Sequence, residues 1–573
     1  MLNPMFDKNA MCIRRMFLLL PSLVCMLLGS ACVNHGGGAA APSPGAGTPK
    51  AAPAQPSAIL RVRGAEIVDG AGRSVILRGV AFGNQVWSNE RIPRMHHGEQ
   101  DFARVASLGM NVVRFYLNYR TLESDSEPGK YLDDGFRWLD ENVAWARKNG
   151  VYLVFNLHVP PGGWQSLGEG AELWTNPELQ RRFVAWWRAL AAHFRGEPTV
   201  AGYDLLNEPG VTKSIDQWKD LASRTAKAIR EIDPEHMLFV ERVNSVAKDW
   251  KENAARNFFR IDDPNVVYEF HFYKPLHFTH QGAQWVEFAA EDSHYPDPSV
   301  AEVEWFFLDA RAHAESPKLP AGTSPWTYYP GQIFTVSDPA IVVGKPVLTV
   351  HNLGAGQAFF DDLVLEQVDA QGKPVKTLWK KHLTTRRGWF FWRADDSGSL
   401  IVSASGHDHD GALEVTGTRS WANLGSDPLR FRPEPGASYR ISGWMRGENL
   451  PADAVARIEI EYSSSKVPVQ ARDKAFLKQE LSAYLDWGRQ QNVPLFLGEW
   501  GAIRASFEDD RGGLRWTSDM LDLLLENRVH FAWHAYHESS FGFFDGDGAL
   551  PRMEDANRPL MELFREKLEG ARD

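Results

Sequence analysis

The sequence predicts an α/β fold, a (β/α)8 TIM barrel interrupted after its sixth strand by an inserted all-β sandwich of jelly-roll type. Three observations carry this expectation. Short apolar runs alternate with amphipathic helical stretches across residues 59–330. From 331 to 467 helical periodicity gives way to strands punctuated by Gly, Pro and Asp. Helix–strand alternation then resumes over 468–573 and supplies the two strands that bring the barrel to eight.

Ahead of the barrel, Arg14 and Arg15 precede an apolar run from Met16 to Leu28. It is short for a bilayer span and placed where a secretory signal carries its hydrophobic region. The run ends in Leu28-Gly29-Ser30-Ala31-Cys32, which resembles the bacterial lipoprotein cleavage box. The resemblance implies a signal peptide over 1–32, lipid attachment at Cys32 and membrane anchoring. With Val33 rather than Asp following, it implies an outer-membrane lipoprotein facing the periplasm or the cell surface. Residues 33–58 are Gly, Ala, Pro and Ser with almost no charge, a composition that cannot bury a core and acts as a linker. Cys12, Cys25 and Cys32 all precede the folded part, so no disulfide staples it.

The expected barrel strands are 75–82, 111–116, 151–158, 200–207, 237–241 and 266–273, apolar enough for a sheet buried on both faces. Between them, Phe136, Leu139, Val143 and Ala146 share one helical face, with Gly150 where a C-terminal cap belongs. Within the insert, Ile458, Ile460 and Tyr462 alternate with Arg457, Glu459 and Glu461, one face in and one out. After it, 473–491 reads as a helix, 494–500 as the seventh strand, 514–527 as a helix and 529–536 as the eighth strand.

Chemistry is expected where barrel strands end. The fourth closes in Asn207-Glu208-Pro209 and the seventh in Gly498-Glu499-Trp500, placing two carboxylates at one mouth. Retaining glycosidases use such a pair, one protonating the leaving oxygen and the other attacking the anomeric carbon. These motifs resemble glycoside hydrolase family 5, over the barrel segments alone. The resemblance implies Glu208 as general acid/base and Glu499 as nucleophile. It implies Arg114 beside the nucleophile, Asn207 on the sugar's 2-hydroxyl, His158, His271 and Tyr273 orienting substrate and carboxylates, and Trp533 as a stacking floor. Taken singly, each has a structural reading as a solvated charge, an ion pair or a core residue. Together, at the ends of six strands, they are costly to bury without a function.

The resulting expectation is a retaining hydrolase of a β-linked polysaccharide or oligosaccharide, cellulase-like and monomeric. A β-mannanase, a transglycosylase acting on exopolysaccharide, and a non-catalytic glycan-binding surface protein are the rivals. The 62 basic and 73 acidic side chains leave a net charge of -11 without a basic tract, which argues against nucleic acid. No cofactor or metal is expected. His407-Asp408-His409-Asp410 reads as a polar turn, and Asp545-Gly546-Asp547-Gly548 lacks the distal Glu of a calcium loop. Phe359–Glu366 and Tyr439–Arg446 resemble stretches of jelly-roll carbohydrate-binding modules in permuted order, leaving sugar binding and a structural lid as open roles for the insert.

Overall fold

The computed structural model describes residue 56 and residues 58–570, apart from 89, 167–168, 250–256, 287–289 and 291. The expected signal segment, Cys32 and nearly all of the expected linker lie outside the described residues. Among those described, no helix is long and apolar enough to cross a membrane.

Eight parallel strands close a barrel: β1 (Arg78–Phe82), β2 (Val112–Asn118), β3 (Tyr152–Val159), β4 (Val200–Asp204), β5 (Met237–Glu241), β6 (Val266–His271), β7 (Leu495–Trp500) and β8 (His530–Trp533). Each pairs with its sequence neighbour, and β8 returns to β1. Helices α1 (Glu99–Ser107), α2 (Asp133–Lys148), α3 (Pro177–Phe194), α4 (Asp216–Arg230), α5 (Lys474–Gln491), α6 (Gly513–Glu526) and α7 (Arg558–Glu569) accompany them. Local chemistry sets their ends. Asn176 caps α3 by accepting the Glu178 N–H, with Pro177 in the first turn, and Asp473 caps α5 by accepting the Phe476 N–H. Gly150 follows α2 at φ +68°, the left-handed backbone expected of a helix stop.

The strands' period of two sorts their side chains into layers. Val112, Val154, Ala201, Phe239, Val267, Phe496 and Ala532 share one small core cluster inside the barrel. Their outward neighbours join the helices in the main core, where Trp187, Tyr203, Trp500 and Trp533 are fully buried. Two residues further along the same inward rows the chemistry changes. Val112 gives way to Arg114 and Tyr116, Val154 to Asn156 and His158, and Val267 to Glu269 and His271, all buried. The apolar floor therefore carries a polar layer at the strands' C-terminal ends.

The insert forms two antiparallel sheets. One orders Leu308–Glu315, Val455–Ser465, Val343–His351, Ala422–Gly425 and Phe390–Arg393. The other orders Gly322–Pro330, Ser438–Leu450, Gln357–Val368, Ala412–Thr416 and Ser399–Ser403, with Phe334–Thr335 also pairing Ser438–Leu450 and Pro374–Lys381 also pairing Gln357–Val368. Leu348, Val350, Ile458 and Ile460 of the first meet Phe360, Leu363, Leu413 and Met445 of the second in a shared core, making a β-sandwich. Its sheets begin before the boundary expected at 331. Leu308–Glu315 and Gly322–Pro330 are edge strands with mostly exposed or half-buried side chains, so they lack the apolar alternation that marks a core strand. Asp297–Glu302 pairs antiparallel with Gln470–Arg472, so the chain leaves and re-enters the barrel side by side.

Candidate active site

Glu208 and Glu499 face each other across the mouth. The pair and His271 each offer an atom lying within 4.8 Å of the other two, so the carboxylates are closely spaced. Different local structures position them. Glu499 lies in β7 at the register of His271 in β6. Glu208 follows β4 at φ +44°, a left-handed backbone unusual for a side-chain-bearing residue, and its N–H donates to Glu241 Oε2 at 2.6 Å.

Glu499 is held from several sides. Arg114 Nη1 donates to its Oε1 at 2.8 Å and Tyr116 Oη at 2.6 Å, while Tyr273 Oη donates to Oε2 at 3.0 Å. Burial alone would raise this carboxyl, but the nearby His271, His534 and Arg114 hold it well below the usual carboxylate range. Arg114 is fully buried and serves three acids at once, with Nε 2.8 Å from Asp204 and 3.0 Å from Glu269. Its Nη2 donates to Asn207 Oδ1 at 3.0 Å, which fixes Asn207 beside Glu208.

His271 links the two halves. Its Nδ1 is 3.0 Å from Glu208 Oε1 and 3.6 Å from Glu499 Oε2, and its Nε2 is 3.6 Å from both Glu241 and Glu269. Burial would depress this imidazole, but Glu241 and Glu499, with the hydrogen bond to Glu208 and the neighbouring Glu269, raise it well above its ordinary value. Burial pushes the Asp204 and Glu241 carboxyls up, so the layer does not accumulate a full charge on every acid. Burial instead depresses His158, which stacks on Tyr116 with centroids 4.0 Å apart and bonds Asn156 at 2.9 Å. Trp164 meets the His158 ring edge-on at 5.1 Å.

The structure thus brings together Glu208, Glu499, Arg114, His158, Asn207, His271 and Tyr273. Trp533 departs from expectation. It is fully buried against Trp500, Trp516, Phe543 and Phe564 on the outer face of β8, so it cannot offer a floor to a sugar. Ala532 points into the barrel, and parity sends the next inward position to His534. His534 Nδ1 lies 3.1 Å from Tyr116 Oη and its Nε2 3.5 Å from Glu538 Oε1. Tyr116, Asp204, Glu241, Glu269 and His534 are site residues that motif reading missed. Counting by twos from Arg114, Glu269-His271 and Ala532 finds most of them.

Residues 68–316 match the family model of cellulase (glycosyl hydrolase family 5). Endoglucanase C of Acetivibrio thermocellus is 37% identical over 191 residues, 33% of this chain and 54% of that protein. Cellodextrinase A of Ruminococcus flavefaciens is 30% identical over 217 residues, 37% of this chain and 62% of that protein. The chain therefore spans about half the length of the first of these curated relatives. A solved structure of Thermotoga maritima Cel5A with cellobiose aligns at a TM-score of 0.45 and 16% identity, covering 86% of this chain and 97% of that one.

Proposed function

We propose that this chain is a retaining β-glycan hydrolase, acting by double displacement, with a β-glucan as its first substrate class, a choice supported by the endoglucanase names of its relatives. The carrying observation is the close pair of unlike carboxylates, with atoms within 4.8 Å of one another. Retaining enzymes hold their carboxyl groups about 5–5.5 Å apart, whereas inverting enzymes leave about 6.5–9.5 Å for a water between them.

The asymmetry supports a division of roles. Glu499, held ionised by Arg114 and His271, attacks the anomeric carbon as Glu208 protonates the departing glycosidic oxygen, leaving a glycosyl ester on Glu499 and a carboxylate on Glu208. Water then gives a proton to Glu208 and its oxygen to the anomeric carbon, releasing Glu499. Glu499 Oε1 accepts from two donors and Oε2 from one, so Oε2 is the freer oxygen for attack. Asn207, held by Arg114, sits where it can meet the sugar beside Glu208, and His534 takes the inward position on β8 that Trp533 does not reach.

Exposed Phe390, Trp392 and Trp421 on the edge of one sandwich sheet support a glycan-contacting role for the insert. The lipoprotein-like box at Cys32 supports anchoring to a membrane, to be checked by mass spectrometry of the mature N-terminus. The deciding experiment is reducing-end release from mixed-linkage β-glucan, carboxymethylcellulose, β-1,3-glucan and glucomannan. Activity that disappears in Glu499→Ala supports the hydrolase. Glycan binding without turnover on any of them overturns it in favour of a binding protein.

A further inference from the structure

Away from the barrel mouth, a convergence of metal-ligating side chains lies in the sandwich, built from three separate stretches of chain. In the strand Gln357–Val368, the pairing with Ser438–Leu450 shifts register between Asp361 and Val364, and Asp362 adopts φ +49°. This bulge lets two consecutive carboxylates serve one point instead of opposite faces of the sheet. His382 arrives just after the strand Pro374–Lys381, and His409 from the turn before Ala412–Thr416.

One atom from each of Asp361, Asp362, His382 and His409 lies within 4.8 Å of the other three. His409 Nε2 is 3.4 Å from Asp361 Oδ2 and 3.2 Å from Asp362 Oδ1. His382 Nδ1 is 2.5 Å from Asp362 Oδ1 and 2.7 Å from His409 Nε2. Donors about 2.1 Å from a tetrahedral ion stand roughly 3.4 Å apart. The first two separations already fit, and the second two require only the exposed His382 ring to draw back by about 1 Å.

Outer contacts aim these donors. His409 Nδ1 bonds the Asp410 carbonyl at 3.2 Å, which leaves Nε2 as the lone-pair nitrogen facing the carboxylates. Buried Asp361 accepts the Asp362 and Leu383 N–H groups on Oδ1, at 2.8 and 3.0 Å, and the His407 N–H on Oδ2 at 2.9 Å. His407, stacked on Trp444 with centroids 3.6 Å apart, places Nδ1 2.9 Å from Asp362 Oδ2. A hydrogen-bonded turn accounts for any one of these contacts. Four donors from three stretches, three of them oriented by outer bonds, form a coordination site with most of its outer layer in place.

We propose that Asp361, Asp362, His382 and His409 bind one divalent transition-metal ion, with zinc the best match. Two neutral imidazoles and two carboxylates balance its charge and suit tetrahedral coordination, whereas calcium requires six to eight oxygens. The ion acts structurally. It pins the start of the segment 381–388, whose Lys381 pairs with Asp292 and whose Arg387 Nη1 donates to Gly282 O at 2.5 Å in the loop beyond β6. That loop also carries His280, whose ring centroid is 4.9 Å from that of Tyr273.

The test uses the full chain, freed of metal with chelator, and titrates zinc by calorimetry with elemental analysis after dialysis. The expected result is one zinc per chain. His382→Ala combined with His409→Ala should weaken binding by about 100-fold or more, while His351→Ala keeps it. Zinc should raise the thermal midpoint of the unmutated chain and leave that of the double variant unchanged. Because the double variant carries its own folding risk, cobalt(II) loaded into the unmutated chain provides a separate readout. A tetrahedral visible spectrum displaced by zinc supports the site. No zinc uptake, equal uptake by the double variant, or stoichiometric calcium binding that zinc does not displace overturns it.

Discussion

Arg114 is shared by three acids, because one buried guanidinium serves Asp204, Glu269 and Glu499. Arg114→Met should destabilise the fold by about 3–5 kcal/mol in chemical denaturation, since the acids around it lose their compensating charge. Glu499's folded pKa is depressed, so its contribution to stability is present above the unfolded carboxylate value and is lost as pH falls through the folded one. His271's is raised, so its contribution is full below its unfolded value and is lost as pH rises through the folded one. For the proposed reaction, neutralising part of the field with His271→Gln should move the acidic limb of kcat/KM to higher pH, because ionising Glu499 becomes harder. An unmoved limb would remove Glu499 from the nucleophile's role. Glu208→Gln should abolish turnover of poor leaving groups and spare activated aryl glycosides better, whereas equal loss on both would sink the acid/base assignment.

At the scale of elements, a strand's parity decides which side chains reach the mouth. Trp533 and His534 are adjacent in sequence and belong to different layers. Trp533→Ala should therefore cost about 3–5 kcal/mol of stability, measured by denaturant unfolding, as a core truncation. His534→Ala should instead alter KM or kcat with little loss of stability. Gly498 shows the same layering from the backbone side, since a Cβ there would stand 1.6 Å from Glu269 Oε1. Gly498→Ala should displace Glu269 and disturb Arg114 with it, lowering kcat/KM well before the barrel unfolds. Unchanged kinetics in that variant would show the polar layer to be softer than its packing implies.

Across the whole molecule, the barrel and sandwich own separate cores and meet through polar contacts such as Lys381 with Asp292, Arg387 with the Gly282 carbonyl and Lys274 with Glu304 at the start of the insert. The ribbon of Asp297–Glu302 against Gln470–Arg472 brings the insert's two connections together. Replacing 303–469 with a short turn should leave a folded barrel, read by cooperative thermal unfolding. Activity of that barrel on aryl glycosides should survive, with a larger loss on polymer if the sandwich contributes glycan contacts. Failure of the shortened chain to fold would make the sandwich part of the barrel's own stability.

The sequence by itself determined the eight barrel strands, an interruption between the sixth and the seventh, and the two carboxylates at the mouth. Burial on both faces makes each strand mostly apolar, with its polar residues gathered toward the C-terminal half. The start of the sandwich was less legible, because the edge strands at 308–315 and 322–330 face water and carry no apolar alternation. Only the tertiary structure decided the facing of Trp533, the sharing of Arg114 among three acids, and the meeting of Asp361 and Asp362 with His382 and His409. Those depend on barrel closure, strand register and a bulge, which place side chains from distant positions within a few ångströms. Local periodicity does not encode such distances.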